Sequence, residues 1–413
     1  MTFTNACGSL TAVKNSTTAS TTTVLRVMNE RAVFSEIFRL GSASRPELAG
    51  ITGLSKPTVA GALNNLEAAG LLRQVGRRAG PAGRPGALYE VRPEAGHVLA
   101  VDIGRAFVRT ALANLVGDVV AQEEEPSRGS DDQELLAQIT QLTLRLTGIA
   151  GISPQDITLA AFGTPGIQDQ ANGSLHLAPN LPGWEQPRSL DRLGAITGGT
   201  YRVENDTNLA AIGEARYGLG REVRHFVYMS IGTGMGMGIV IDGTLYRGSR
   251  QAAGEIGYLP VGAGDPLLEQ PGSDRRGMFE SVASAAGLVD AARRAGMAGV
   301  ETPKDVLDAA RRGDRAAQEA VDREIDYLTT ALAGVIAILD PELVVLGGGV
   351  GGHADDLLTR PLRERLGRLV ALELPRIEVS ALGANAVLLG ALASGLTAAH
   401  DLVLEHAAPA GGR

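Results

Sequence analysis

Three carboxylates, an amide and a phenol stand in this sequence where strand-like runs give way to loops. They are Asn205 and Asp206 in Val203-Glu204-Asn205-Asp206, Glu255 and Tyr258 in Gly254-Glu255-Ile256-Gly257-Tyr258, and Glu280 in Gly277-Met278-Phe279-Glu280. Grouped in one site, such side chains satisfy several hydroxyls at once, which is the chemistry of sugar binding. Between them lies S-I-G-T-G-M-G-M-G, in which Gly232, Gly234, Gly236 and Gly238 leave backbone N–H groups uncovered, as a concave anion-friendly loop requires. Taken alone, that loop is equally the turn of an ordinary hairpin. Glu280 alone is equally a dipole partner at a helix start, and Tyr258 a packed core tyrosine.

The elements that must position these groups follow from apolar patterning. Residues 226–231 and 238–241 read as a strand and its return around Gly232-Thr233-Gly234; residues 201–204 read as a strand, and 205–218 as the helix after it. The first half opens the same way, with a buried-strand run ending in Asp102-Ile103-Gly104 and return strands over 107–115 and 117–121. A helix over 131–149 and a strand over 157–162 lead to Gly163-Thr164-Pro165-Gly166, then to a loop with Asn180 and the single tryptophan, Trp184. Further on, helices are expected over 281–295, 304–311, 316–339 and 355–369, strands over 343–346 and 376–381, and a last helix from Asn385. Two α/β lobes of like topology, facing one another, imply a cleft lined by these loops.

Composition sets the bounds. The chain has 413 residues, 44% apolar but only 4% aromatic, enough for two or three domains with an aliphatic core. The apolar run 331–339 is too short to cross a bilayer, no secretory leader is visible, and the one cysteine, Cys7, supports neither a disulfide nor a cysteine-based metal cluster. A cytoplasmic protein with no membrane association is expected. Net charge is −8, yet residues 24–92 carry +5 and residues 93–413 carry −14. A basic head on an acidic body suits a nucleic-acid-binding module joined to something that does not touch nucleic acid.

The head reads as helix 24–40, a short helix begun by Ser44-Arg45-Pro46, and a third helix capped by Ser55 with Pro57 in its first turn. With the strand start Leu71-Leu72, that is the order of a winged helix-turn-helix. Its third helix faces a major groove with Ser55, Lys56, Pro57, Thr58 and Asn64. A three-helix protein-contact module has the same order. Residues 73–86 form a Gly/Pro-rich wing whose Arg77, Arg78 and Arg84 suit an A·T minor groove; the other reading is a solvated hinge.

The combination of this head with Glu-Asn-Asp, Gly-Thr-Gly-x-Gly-x-Gly and Gly-Glu-x-Gly, in that order over residues 25–395, resembles the ROK family of bacterial sugar kinases and sugar-responsive repressors. The resemblance implies an α/β chain in which the winged helix-turn-helix precedes a two-lobed actin-like fold. The expected layout is a disordered tail at 1–23, the DNA-binding head at 24–93, a small lobe at 97–215 with helix 384–398 packing back on it, and a large lobe at 216–383. By the same resemblance Asn180, Asn205, Asp206, Glu255 and Glu280 are sugar contacts, joined by Tyr258, and Asp206 takes the catalytic-base position of the kinases.

Two departures turn the reading from kinase to repressor. Family kinases carry Asp-x-Gly-Gly-Thr at the first phosphate loop, whereas here Asp102-Ile103-Gly104 continues into Arg105-Ala106. Asp102, Gly104, Gly232, Thr233 and Gly234 are therefore expected to be vestiges of phosphate loops. The family's zinc ligands, three cysteines and a histidine, are replaced by Pro271, Ser273, Met278 and Tyr258, so neither metal nor cofactor is expected, and packing by Met278 and Phe279 is expected to shape the Glu280 loop. The expected function is a non-enzymatic repressor of carbohydrate genes. Its partners are an inverted-repeat, A/T-rich operator, a sugar or sugar-derivative effector, and a second copy of itself as a dimer or tetramer. The alternative is an ATP-dependent hexose or amino-sugar kinase with an appended DNA-binding head.

Overall fold

The computed structural model describes residues 21–79, 85–128, 132–169, 171–178, 181–198, 200–265, 268 and 277–407. They divide into two units, one holding the residues up to Ala95 together with those from Asp401 onward, the other Gly96–His400. Most of the expected tail, and Asn180, Arg84, Pro271 and Ser273, lie outside the described residues, as does the side chain of Arg78.

The first unit is a winged helix-turn-helix. Helices Thr21–Leu40, Arg45–Thr52 and Lys56–Ala68 enclose Val33, Phe34, Ile37, Leu48, Val59, Leu63 and Leu66, all essentially inaccessible to solvent. The first helix begins at Thr21, inside the stretch expected to be tail. Local chemistry fixes the ends: Ser44 donates its N–H and hydroxyl to Glu47 at 2.8 and 2.7 Å, Gly53 closes the second helix at φ 69°, and Ser55 accepts the N–H of Thr58. The wing pairs β2 (Leu72–Ala79) with β3 (Pro85–Val91), and the two-residue β1 (Ala43–Ser44) adds to β3. Its strands reach further than apolar patterning suggested. Arg77 and Arg78, expected in the wing loop, belong to β2 opposite Ala87 and Gly86. Backbone pairing here outweighs the turn signals of Gly76 and Gly86, with a bulge between Gln74 and Gly76 taking up the irregularity.

The second unit holds two five-stranded sheets of matching topology. In the first, β4 (His97–Ile103), β5 (Phe107–Asn114) and β6 (Val119–Pro126) form an antiparallel meander, and β7 (Leu159–Thr164) and β10 (Tyr201–Asn205) add parallel on the other side of β4. A small hairpin of β8 (Ile167–Asp169) and β9 (Ser174–His176) stands apart. In the second sheet, β11 (Phe226–Ile231), β12 (Met235–Ile241) and β13 (Thr244–Tyr246) repeat the meander, and β14 (Leu343–Gly347) and β15 (Arg376–Val379) repeat the parallel addition. This is the expected actin-like α/β architecture.

Each sheet has its own core. Leu99, Val101 and Leu112 pack with Leu135, Ile139, Leu142 and Trp184 in the first, while helices Ala285–Arg294, Pro303–Arg311, Arg315–Leu339 and Asp355–Leu369 cover the second. The helix expected over 281–295 is two, Met278–Ala283 and Ala285–Arg294, separated at Ser284, whose extended backbone (ψ 171°) and side-chain cap restart the second.

Helix Asp206–Tyr217 follows β10, yet Ala210 and Ala211 share a buried cluster with Phe226, Tyr228 and Val240 of the second sheet. The lobe division expected at 215/216 therefore falls beyond a helix that already packs with the second lobe. Its other side meets helix Ala386–Ala407: a Cβ on Gly390 would stand 1.8 Å from Leu209 O, and one on Gly213 2.4 Å from Ala386 O. Helix Ala386–Ala407 continues to the first sheet, where Gly395 approaches Val98 and the His400 ring bonds to Leu115 O at 2.8 Å. Its apolarity is that of a helix more than half buried in the fold.

Candidate functional site

The site is built where β10 turns into helix Asp206–Tyr217. Asn205 is the N-cap: its Oδ1 accepts the N–H groups of Thr207 and Asn208 at 2.9 and 3.1 Å, and its Nδ2 donates to Gly166 O at 3.1 Å. The side chain expected to hold a ligand is thus largely spent on architecture, tying helix to loop, with one amide hydrogen left to offer. Asp206 follows. Its Oδ1 accepts from the Thr207 N–H at 2.7 Å, and burial pushes its carboxyl above the ordinary aspartate range.

The hairpin β11–β12 supplies the facing wall. Gly232 N–H donates to Gly234 O at 3.1 Å, and the return strand begins at Met235, earlier than expected. Gly236 and Gly238 therefore sit in β12 and do not belong to the loop. A Cβ on Gly238 would meet Ala211 Cβ at 2.5 Å, and one on Gly236 Thr207 Oγ1 at 2.8 Å, so these glycines serve close packing of strand on helix. The open turn is confined to Gly232, Thr233 and Gly234.

Glu255 and Glu280 complete the ring. Gly254 takes φ 90° and its carbonyl accepts from the Met237 N–H of β12 at 2.9 Å; Glu255 follows it directly. Glu280 Oε2 accepts from Met235 N–H at 3.0 Å. Phe279 beside it is fully buried while Met278 is only half-buried, and Gly277, at φ 88°, comes so close to Gly257 that a Cβ would lie 2.3 Å from its carbonyl oxygen. Burial, with the charges of Asp206 and Glu280, raises the Glu255 carboxyl to about 7.

Asn205, Asp206, Glu255 and Glu280 line one cleft of about 290 Å³ together with Gly104, Gly232, Thr233 and Gly234. That is near the lower limit of small-molecule pockets, roughly 300 Å³. Asp206 and Thr233 also line an adjoining cavity of about 760 Å³, which extends past Arg105 and Arg109 to Tyr228, His353 and Ser380. Two expected residues stand elsewhere. Tyr258 is 45% exposed and outside the cleft lining. Asp102 is buried behind the first loop, 3.2 Å from Arg109 Nη1. Residues that spacing did not single out are Arg109, Gln251, which lines the cleft, and the pair Glu204–Arg247 beside it at 2.7 Å.

In the head, Lys56, Pro57 and Asn64 are exposed on the third helix, and Arg77 on β2. Thr58 is half-buried, its hydroxyl bonded to that of Ser55 at 2.7 Å, so this pair serves the cap first. The neighbouring amides divide their roles: Asn65 Nδ2 donates to the buried Glu30 at 2.7 Å, while Asn64 points outward.

The profile of the ROK family matches residues 98–396. The chain is 27% identical over 387 residues to a xylose repressor of Caldicellulosiruptor bescii, covering 90% of this chain and 96% of that protein. It is 31% identical over 285 residues to the glucokinase of Thermotoga maritima, covering 65% and 86% of the two chains. Among solved structures, a ROK family transcriptional regulator described as a homologue of the E. coli MLC protein superposes with a TM-score of 0.76 at 24% identity, covering 93% of this chain and 99% of that one. The ROK hexokinase of Thermus thermophilus superposes at 0.64 with 27% identity, over 74% and 99%.

Proposed function

The chain belongs to the ROK family, and from that premise we propose that it is a DNA-binding transcriptional repressor whose operator affinity responds to a sugar held in the cleft. The observation that carries this reading is the presence, in one chain, of an outward third helix bearing Lys56 and Asn64 and a cleft ringed by Asp206, Glu255 and Glu280. Near end-to-end similarity to the xylose repressor supports it, since the glucokinase is matched over a smaller share of the chain. Two copies present their third helices to successive major grooves of an inverted repeat in the cytoplasm, and Arg77, Arg78 and Arg84 serve the minor groove. Asn180 and Tyr258 belong to the same sugar reading, Asn180 as a contact and Tyr258 as a rim group.

The sugar acts by binding one arrangement of the protein better than the other. A coupling of about 1–3 kcal/mol changes operator affinity roughly 5- to 150-fold. Calorimetry with Asp206→Ala and Glu255→Ala tests the site: both variants are expected to stay folded and to lose sugar binding, and wild-type affinity in both refutes it.

One observation favours phosphoryl transfer instead. Asp206 lines both cavities, as a base between a sugar hydroxyl and a phosphate donor must. Against it stand Arg105 in the first loop and the engagement of Asp102 by Arg109.

A further inference from the structure

We infer that the ion pair between Glu204 and Arg247 is a positioning device that holds the loop leading to Glu255 against the helix start bearing Asp206, so that these two carboxylates face the ligand together while the pair is intact. The inference rests on the sugar reading given above. Glu204 is the penultimate residue of β10, at the edge of the first sheet, and Arg247 directly follows β13, at the edge of the second. Arg247 Nε donates to Glu204 Oε2 at 2.7 Å, so a side chain carried by one sheet closes on a side chain carried by the other.

Neither residue lines the cleft, but each is bonded to chain that does. Glu204 Oε1 accepts from Asn208 Nδ2 at 2.9 Å and from the Asn205 N–H at 3.2 Å, which joins the carboxylate to the helix start bearing Asp206. Arg247 O accepts from Ala253 N at 3.1 Å and closes residues 247–253 into a loop. Gln251 and Gly254 bring that loop into the cleft, and Glu255 follows. Gly248 turns at φ 70°, which glycine adopts freely, whereas Gln251 at φ 59° holds a left-handed backbone that a side chain-bearing residue keeps only with support from its surroundings. The Ala253 N–H to Arg247 O bond closes the neck of the loop, and the Arg247 side chain ties that neck to Glu204.

The pair is suited to positioning rather than to bulk stability. Its side chains are 38% and 18% exposed, for Arg247 and Glu204 respectively, so water screens part of the attraction and the fold gains little from it. Its geometry is nonetheless specific, because both oxygens of Glu204 are bonded and Nε fixes the orientation of the guanidinium plane.

Calorimetric titration of the full-length protein with D-xylose and with D-glucose tests this on Glu204→Gln, Arg247→Gln and the double variant. Each single change is expected to weaken binding of whichever probe the wild type takes by about tenfold, with the double variant no weaker than either and melting temperatures near wild type. Arg247→Lys is expected to recover part of the affinity and to lose it again as salt is raised. If Arg247→Gln proves unstable, Arg247→Lys decides: partial, salt-sensitive affinity supports the inference, and full affinity indifferent to salt overturns it. Undiminished or strictly additive affinities overturn the inference while leaving the sugar reading intact. A wild type that takes up neither of these, nor any of a panel of hexoses, amino sugars, phosphosugars and disaccharides, overturns the sugar reading, and this inference with it.

Discussion

Arg109 on β5 stands directly between its register partners, Asp102 on β4 and Glu124 on β6, with Nη1 3.2 Å from Asp102 Oδ2 and Nε bonded to Glu124. The guanidinium also lies 5.4 Å from the centre of the Phe107 ring. Burial raises the Asp102 carboxyl to about 7 even though Arg109 pulls it down, so the group is neither a free anion nor exposed. An aspartate committed in this way, next to a loop carrying Arg105 and Ala106, is poorly placed to serve a triphosphate.

Phosphoryl transfer is therefore expected to be absent. Purified protein incubated with ATP and a panel of hexoses and amino sugars should release ADP no faster than the sugar-free control. Release that depends on sugar and disappears in Asp206→Ala would restore the kinase reading.

The raised Glu255 carboxyl sets a pH dependence. Its folded value near 7 exceeds the ordinary 4.5, so the folded protein keeps a proton that the unfolded chain gives up between about pH 4.5 and 7. The Glu255 contribution to stability therefore falls as pH rises through that window. Glu255→Gln should be stabilised relative to wild type increasingly from about pH 4.5 to pH 7, and by a steady margin above that, in urea melts. A difference that stays constant across that window, or that shrinks with rising pH, contradicts the cause assigned here.

The helix crossing at Gly213 and Gly390 leaves no room for a methyl group. Gly390→Ala places a carbon 1.8 Å from Leu209 O and should cost about 1–3 kcal/mol in urea unfolding, as overpacking of a tight core does. Alanine in place of Gly334, in a helix with open space at that point, should be neutral or slightly stabilising and serves as the control.

For the head, Ser55→Ala removes the oxygen that accepts the Thr58 N–H and should cost about 1 kcal/mol of stability. Lys56→Ala should instead leave stability unchanged and weaken binding to an inverted-repeat operator, with the salt slope reduced by about one. Fluorescence anisotropy over a salt series separates the two effects. Unaltered DNA binding in Lys56→Ala together with Arg84→Ala would remove the head from the interface.

Patterns of short range were the most legible in sequence. Ser55-Lys56-Pro57 announced a capped helix because cap and first turn are neighbours, and the run ending at Ile231 announced a strand because apolar spacing is a local property. Glycine was legible as punctuation but not by role: Gly232 and Gly234 turn the chain, whereas Gly236 and Gly238 lie in a strand and make room for Thr207 and Ala211. Asn205 appeared as a polar group beside a ligand, while its cap bonds to Thr207 and Asn208 emerge only once the helix start is placed. Arg247 gave no signal at all, since its partner is 43 residues away on a different sheet and no local rule links the two.

Glu280 shows how an acid is aimed by backbone alone. Its carboxylate is pinned by the Met235 N–H, a main-chain donor that substitution does not remove, and its neighbour Phe279 is anchored in the core. The carboxylate is thereby tied to the strand that forms the opposite side of the turn Gly232-Thr233-Gly234. A carboxylate moored to the main chain keeps its aim through any side-chain replacement along β12, because every residue but proline brings the same N–H to position 235.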